Sequence, residues 1–344
     1  MHKIFNIFGI KIKIKQRLKK SHTEEHKWAT NCELFQPCCV DWFGSFKTYM
    51  LKNNMPEKIQ KLKHGLDEKS IQLIDQFLSR VLILPDTSIA QEYLLSQNLI
   101  ESLYTDEERR IETDYKHSLP EIKKKFVFDE NELLVETFYF HNGLKFCTQK
   151  MKNYLKGKDF IDGGAYIGDS TLIFSKYYNP RKIYSFEISK KLSDKYIQTM
   201  KQNHISSDKY ILISKGISDK CSENLFKDSA LSGTSLLFEG KDTVELTSID
   251  IFAQKNILNI GFIKLDLEGY AYEAIQGAAQ SIKKFRPIIS VAIYHSPKEF
   301  FETKPLLEEI LQELNYKIEI KCLQYRPWIA IEYILFAYPK ELDN

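Results

Sequence analysis

Asp159-Phe-Ile-Asp-Gly-Gly-Ala-Tyr-Ile-Gly-Asp-Ser-Thr171, running on into Leu-Ile-Phe174, is the stretch on which the reading of this chain turns. Apolar residues lead into Asp162, glycines follow at 163, 164 and 168, and a helical pattern begins at Asp169. The order is strand, tight glycine turn, helix. Gly164 presents no Cβ to a ligand approaching the backbone. The helix N-terminus offers unpaired N–H groups and the positive end of a dipole, and Asp169 and Ser170 suit its first turn. A dinucleotide fingerprint needs G-x-G-x-x-G. Neither register supplies it, because the second glycine falls on Ala165 or on Tyr166. The spacing that fits is acidic-x-Gly-x-x-x-Gly, carried by Asp162, Gly164 and Gly168. A turn of this spacing lacks the glycines of a pyrophosphate cradle, and a carboxylate such as Asp162 beside it can meet an ammonium group.

Outward from this turn, strands and helices alternate, as in a mostly parallel sheet. The first helix runs to about Tyr178, where Asn179-Pro180 breaks it. Residues 182–188 form the next strand and deliver Glu187 where doubly wound folds place the carboxylate for a ribose diol. A helix over 190–203 and a strand over 210–214 follow, then a polar, irregular stretch over 222–246. Asp250 is expected to N-cap a short helix to about Lys255. Residues 261–266 make a strand and 269–284 a helix. The nearly all-apolar stretch 287–295 is a central strand. A helix over 305–315 precedes a closing antiparallel pair, 316–324 with 331–338.

Ahead of the turn, residues 133–140 and 144–148 flank His141-Asn-Gly143, which reads as a β-hairpin. The first 130 residues read as mainly helical. Asp67-Glu-Lys-Ser70 is a helix start, and Ile71, Ile74, Phe77, Leu78 and Val81 then share a face until Pro85. Residues 89–110 are a second helical candidate, and the charged stretch 105–125 a solvated helix or linker. Ile10-Lys-Ile-Lys-Ile-Lys15 alternates with period two, as a strand does.

The 344 residues are 43% hydrophobic and 28% charged, which are globular values. A net charge of +3 does not advertise nucleic acid as a partner. Six scattered cysteines with no signal peptide ahead of them suggest free thiols in a reducing, cytoplasmic setting. Cys32, Cys38 and Cys39 lie near His22 and His26, but with no standard zinc spacing. No apolar run approaches the ~18–20 residues of a membrane span. Residues 1–20 are basic and lack Asp and Glu. They read as a solvated arm or edge strand, or as a weak peripheral contact with the anionic face of an inner membrane.

Ligands of open α/β sheets sit at the carboxyl ends of the strands. There the chain delivers Gly164, Glu187, the turn Gly216-Ile217-Ser218 that can flank an adenine, Asp266 and Glu268 in Lys264-Leu-Asp-Leu-Glu-Gly269, and Tyr294-His295. A hydroxyl acceptor is a poor nucleophile near neutral pH, and a base within reach helps. His295 suits that work. Asp266 and Glu268 can serve instead, or can hold a divalent cation that acidifies the hydroxyl. Each also has a plain structural reading: Asp266 as a turn cap, Glu268 as a helix-start charge, His295 as a hydrogen-bonded strand-end histidine.

Taken in order, Ile161-Asp-Gly-Gly-Ala-Tyr-Ile-Gly-Asp-Ser170, Tyr184-Ser-Phe-Glu187, Leu246-Thr-Ser-Ile-Asp250, Phe262-Ile-Lys-Leu-Asp-Leu-Glu-Gly269 and Pro287 to His295 resemble the FkbM-type S-adenosylmethionine-dependent methyltransferases. The first motif is that of the class I enzymes with its middle glycine replaced by Tyr166. The resemblance implies an α/β fold: a class I methyltransferase Rossmann-like seven-stranded sheet with helices on both faces, in residues 131–344, behind a mainly helical region 1–130. The cofactor it implies is S-adenosyl-L-methionine. Asp162, Gly163, Gly164, Ala165, Tyr166, Gly168, Asp169, Ser170, Glu187, Ile188, Gly216, Ile217, Ser218 and Asp266 are placed around that cofactor, with His295, Asp266 and Glu268 as catalytic candidates. The implied reaction is O-methylation of a sugar hydroxyl in a bacterial glycan, lipopolysaccharide or capsule precursor. The region before residue 130 would recognise the glycan acceptor or form a homo-oligomer contact. Two other readings stand beside it: a nucleotide-sugar oxidoreductase, and a non-catalytic scaffold of the same fold in glycan assembly.

Overall fold

The structure is a computed structural model that describes residues 2–7, 10–15, 38–83, 104–128, 133–226, 242–326 and 332–343. The chain divides into two units, residues 1–114 with 324–331, and residues 115–323 with 332–344. In the first, β1 (His2–Ile7) pairs antiparallel with β2 (Ile10–Lys15), the strand expected from the Ile/Lys alternation. Helices α1 (Cys38–Lys52), α2 (Met55–Lys63) and α3 (Glu68–Ile83) follow. Asp67 starts α3 as its sequence suggests, its Oδ1 accepting the Ser70 N–H at 2.7 Å. Ile74, Phe77, Leu78 and Val81 are buried on one face, with the Phe77 ring edge-on to Phe46. The stretch 105–125 is a helix, α4 (Asp106–Lys125), opened by a reciprocal capping box. Thr105 Oγ1 accepts from Glu108 N, and Glu108 Oε2 accepts from Thr105 N. Glu108 is also held by buried Arg80 at 2.7 Å. Most of the helix expected over 89–110 lies outside the described residues, as do His22, His26, Cys32, residues 16–20 of the basic arm and residues 227–241. Cys38 and Cys39 open α1. Among the described residues Cys147, Cys221 and Cys322 are free thiols, and no helix is long and apolar enough to cross a membrane.

The second unit is built on a seven-stranded sheet. Its strands are β3 (Asp159–Gly163), β4 (Lys182–Phe186), β5 (Tyr210–Ile213), β9 (Ile260–Leu265), β10 (Ile288–Ala292), β11 (Tyr316–Cys322) and β12 (Tyr333–Pro339). The order across the sheet is β11-β12-β10-β9-β3-β4-β5. Strands β5, β4, β3, β9 and β10 run parallel, and β12 is antiparallel to both β10 and β11. This is the expected seven-stranded α/β sheet with its antiparallel closing pair. β3, β9 and β10 are buried along their whole length, which is why β9 and β10 read as nearly continuous apolar runs. Helix α7 (Asp169–Tyr177) packs on them through Phe174, whose ring meets Phe160 and Phe262 at 5.6 and 5.4 Å. The chain order reverses between β3 and β9, and open α/β sheets bind ligands at such a switch point.

Five expectations are corrected here. Residues 133–148 form no hairpin. They make the short helix α5 (Val135–Phe138), a 3-10 turn (His141–Phe146) and helix α6 (Gln149–Leu155). His141, Asn142 and Gly143 do turn through positive φ, but the turn joins helices. Residues 222–246 are not irregular throughout: β7 (Ser222–Phe226) and β8 (Asp242–Thr247) form a second sheet with the two-residue strand β6 (Gly216–Ile217). Its buried residues Phe226, Val244 and Leu246 pack against Ile188. Asp250 does not cap its own helix. Ser248 caps α9 (Ile249–Asn256), while the Asp250 carboxylate accepts from Gln280 and Ser281 at the start of a later helix. The helix expected over 269–284 is two, α10 (Ala271–Gln276) and α11 (Ala279–Phe285), broken where Gly277 passes against the Ser218 carbonyl. The helix expected from residue 305 begins earlier, as α12 (Pro297–Leu311), with Ser296 as N-cap and Pro297 in its first turn. Helix α8 (Lys190–Gln202) follows β4 as expected.

Candidate active site

The glycine turn between β3 and α7 is tied down by its own backbone. Gly164 and Ala165 both donate to the Phe186 carbonyl at the end of β4, at 3.1 and 2.9 Å, and Gly168 N donates to Ala165 O. Tyr166, at φ +48°, donates its N–H to Glu187 Oε2 at 2.9 Å. These four N–H groups are therefore turned inward. A pyrophosphate cradle needs such groups pointing at the ligand, so the backbone agrees with the failed dinucleotide fingerprint. Gly164 is required for a reason the sequence did not disclose. At φ +74°, a Cβ here would stand 1.8 Å from the carbonyl oxygen of Asp266, so the residue makes room for β9 rather than for a ligand. Gly168, at φ +88°, caps α7 and lies under Tyr196 and Met200, while Gly163 faces Leu265 and Ile217.

Asp162 is wholly buried. Its Oδ2 accepts from Ser170 Oγ at 2.6 Å and Thr171 Oγ1 at 3.0 Å, and Lys264 Nζ lies 3.5 Å from Oδ1. Lys264, buried in β9, also donates to the carbonyls of Gly163 and Gly164 at 3.2 and 2.6 Å. Burial works against its charge, yet Asp162, Asp266 and Asp169 outweigh it and raise its pKa. Asp162 and Lys264 are thus an internal brace of the turn. Asp169 is buried too. Its carboxylate accepts from Thr137 of α5 at 2.8 Å, and burial raises its pKa to about 6.

Glu187 stands at the end of β4, where the sequence placed it. Its second oxygen accepts the Ser189 N–H at 2.8 Å, so this one carboxylate clips the glycine turn to the start of α8. Gly216 and Ile217 form a strand rather than a free turn, pairing with Leu246 and Thr247 of β8, and Ser218 N donates to Thr247 O. Ile217 and Ser218 are buried.

At the ends of β9 and β10 the structure gathers the three catalytic candidates. His295 is buried, with Nε2 3.2 Å from Asp266 Oδ1 and 3.5 Å from Glu268 Oε2. Its Nδ1 lies 3.2 Å from Glu299 Oε2 of α12, and the Tyr294 ring lies 4.0 Å from its own. Tyr294 donates its hydroxyl to Glu332 at 2.7 Å. Burial alone would push the imidazole down, but Glu268, Asp266 and Glu299 outweigh it and hold its pKa well above the ordinary histidine value. Burial likewise opposes ionisation of Asp266, but contact with His295 and the charge of Lys264 keep it below the usual range. Glu268, at φ +50°, goes the other way. Burial first, then Asp266, Glu299 and Glu332, push it up to about 8. Burial and the Asp266 charge push Glu332 up to about 7. Glu136 of α5 is raised by burial and by Glu332, Asp169 and Asp266.

Lys264, Glu299, Glu332 and Glu136 were missed from sequence. Only Lys264 left a signal, a lone cation inside the apolar run Phe262-Ile-Lys-Leu265. Among the described residues no three His, Cys, Asp or Glu side chains are arranged to hold a metal ion.

Residues 162–318 match the family model of the methyltransferase FkbM domain. No curated protein matches the chain. Among solved structures, methyltransferase FkbM from Methylobacillus flagellatus is similar with a TM-score of 0.54 at 16% identity, over 86% of this chain and 61% of that one. The chain thus spans about three fifths of that protein's length, and at such identity the likeness is one of fold. An rRNA methylase from Streptococcus thermophilus matches at TM-score 0.34 and 11% identity, over 56% of this chain and 92% of its own. A Streptococcus mutans protein in complex with SAH matches at TM-score 0.32 and 12% identity, over 54% and 93%. The resemblance read from the motifs is borne out by the family match and the FkbM fold neighbour.

Proposed function

We propose that this chain, in which residues 162–318 form a methyltransferase domain of the FkbM type, uses S-adenosyl-L-methionine to methylate a hydroxyl of a sugar in a bacterial glycan, lipopolysaccharide or capsule precursor. The observation that carries the reading is a glycine turn whose N–H groups face inward, beside a cluster of carboxylates. Such a site suits a cofactor that is cationic and free of phosphate. When bound, that cofactor supplies an electrophilic methyl group.

Glu187, at the end of β4 and clipped to the glycine turn and to α8, would hold its ribose diol. Asp266, a third exposed and ionised, would face its positive charge. Asp162 supports the turn from within rather than meeting the ammonium itself, since Ser170, Thr171 and Lys264 engage its oxygens.

The protein's remaining task is alignment and one proton. His295 Nε2 takes the acceptor's hydroxyl proton once the imidazole has lost its own, and Asp266 and Glu268 stabilise the imidazolium that results. Because these acids favour the charged ring, transfer should quicken as pH rises through the raised histidine pKa. Residues before 130 would supply acceptor recognition or a homo-oligomer contact, and the basic first twenty a weak hold on the cytoplasmic face of the inner membrane.

The test is mass spectrometry of surface glycans from wild-type and deletion cells. Loss of one 14-Da increment, restored by the wild-type gene and not by Asp266→Ala, is the expected result. Identical glycan spectra from the two strains would refute the sugar acceptor.

A further inference from the structure

We propose that Glu299 is a positioning residue of this site: it holds the His295 ring through Nδ1 and so aims Nε2 at Asp266 and Glu268. The inference rests on the reading of His295 as the base.

Glu299 is completely buried in the first turn of α12. The sequence Ser296-Pro-Lys-Glu299 has the form of a capping box, in which the glutamate would reach back to the N-cap N–H. Half of that box is present: Ser296 Oγ accepts from Glu299 N at 3.2 Å. The glutamate side chain instead goes across the fold. One oxygen meets His295 Nδ1 at 3.2 Å, and the other accepts the Ala271 N–H at 2.9 Å, at the start of α10. Ala271 directly follows the turn that carries Asp266 and Glu268, a turn with Glu268 at φ +50° and Gly269 at φ +109°. One carboxylate therefore fixes both the base and the acids that its far nitrogen faces.

A carboxylate can only accept, so Glu299 and Asp266 together favour the doubly protonated ring. When it loses one proton, the wholly buried Glu299, fixed also by the Ala271 N–H, keeps the proton on Nδ1, and Nε2, beside the third-exposed Asp266, is the nitrogen that gives and takes one. The ring's electrostatic surroundings come from three elements. Asp266 and Glu268 face it from the β9–α10 turn and Glu299 from α12, while Glu332, the residue before β12, lies against Tyr294. All four are acids, and the first three raise the ring's pKa against its burial. Removing the charge at 299 should lower it.

The experiment is long-range proton–nitrogen NMR on the ¹⁵N-histidine-labelled full chain without cofactor, with His295 assigned by His295→Gln. In the wild type, the neutral ring above its midpoint should be protonated on Nδ1. In Glu299→Gln the midpoint should fall by about one pH unit or more, with near-ultraviolet circular dichroism unchanged. A neutral ring protonated on Nε2 in the wild type would overturn the proposal, as would an unmoved midpoint in a folded Glu299→Gln. The tautomer is read on the wild type, so a variant that does not fold leaves the test standing. Because neither readout needs turnover, a protein that transfers no methyl group would sink the proposed function and leave this assignment to be judged separately.

Discussion

Gly164→Ala is the most informative single substitution. The new Cβ would be built 1.8 Å from the Asp266 carbonyl oxygen, well inside the 3.0 Å that real Cβ atoms respect. The obstacle is backbone, so the end of β9 must retreat by more than an ångström, straining the Asp266 N–H bond to Gly163 O, 3.0 Å long. Overpacking of that kind costs about 1–3 kcal/mol, and an alanine at φ +74° adds about 1–2 kcal/mol. In a unit of this size the sum corresponds to a Tm lower by roughly 5–15 °C. Gly157→Ala supplies the control, because Gly157 has φ +70° with nothing within 4 Å of its built Cβ. It carries the conformational cost without the collision. Scanning fluorimetry with and without adenosylhomocysteine separates the two. Gly164→Ala should lose at least twice as much Tm as Gly157→Ala, and should lose the ligand's stabilising shift. Equal losses in the two variants would refute the claim that Gly164 exists to admit Asp266.

Glu187→Gln replaces an oxygen that accepts from a backbone N–H by an amide that cannot. Calorimetry should show affinity for adenosylhomocysteine about tenfold weaker or worse, from ~1.5–3 kcal/mol in charged hydrogen bonds; unchanged affinity would remove Glu187 from the cofactor site. Lys264→Met leaves Asp162 buried without its counter-charge and should cost ~3–5 kcal/mol in urea unfolding, less when Asp162→Asn accompanies it; additive losses would deny that the two act as one brace. Glu268 and Glu332 bind a proton more tightly folded than unfolded, with values about 8 and about 7. What they add to stability is therefore full below the ordinary carboxyl range and is lost as pH rises through those values. The raised pKa of His295 acts with the same sign, full below its ordinary value and lost on the alkaline side. Tm should fall from about pH 4.5 to about pH 8, and less steeply in Glu268→Gln; a flat wild-type profile would contradict the buried acids.

The centre of the sheet was legible because β9 and β10 are buried along their length and so form nearly continuous apolar runs, interrupted only at Lys264 and Ser290. Glu187 was legible because strand ends are fixed by topology. The hairpin reading of 133–148 went astray because His141-Asn-Gly143 has the positive-φ chemistry of a tight turn, and that chemistry serves helix ends as well as hairpins. What decides between them is long-range: Gly143 lies against Ile334, Ser290 and Phe336, residues distant in sequence. The broken helix at Gly277 and the displaced cap at Asp250 have the same cause, since each answers to a partner from another segment. Glu299 was hidden for a subtler reason. Its local motif is a good capping box, and the local motif is only half used.

The same long-range contacts give the site its mechanical character. Gly163 and Gly164 receive Lys264 on their carbonyls, and Gly164 admits the Asp266 carbonyl against its bare Cα. Two residues beyond Asp266, Glu268 is held at positive φ while Glu299 caps the helix that follows. The turn assigned to the cofactor and the turn that carries the acids therefore template each other's backbone. A displacement of either by the width of one methyl group is felt in both, so a substitution on the cofactor side should alter the geometry around His295 as well. The NMR signature of His295 in Gly164→Ala reads this directly: a tautomer or midpoint changed from the wild type would show the coupling, and an identical spectrum would show two turns that merely lie side by side.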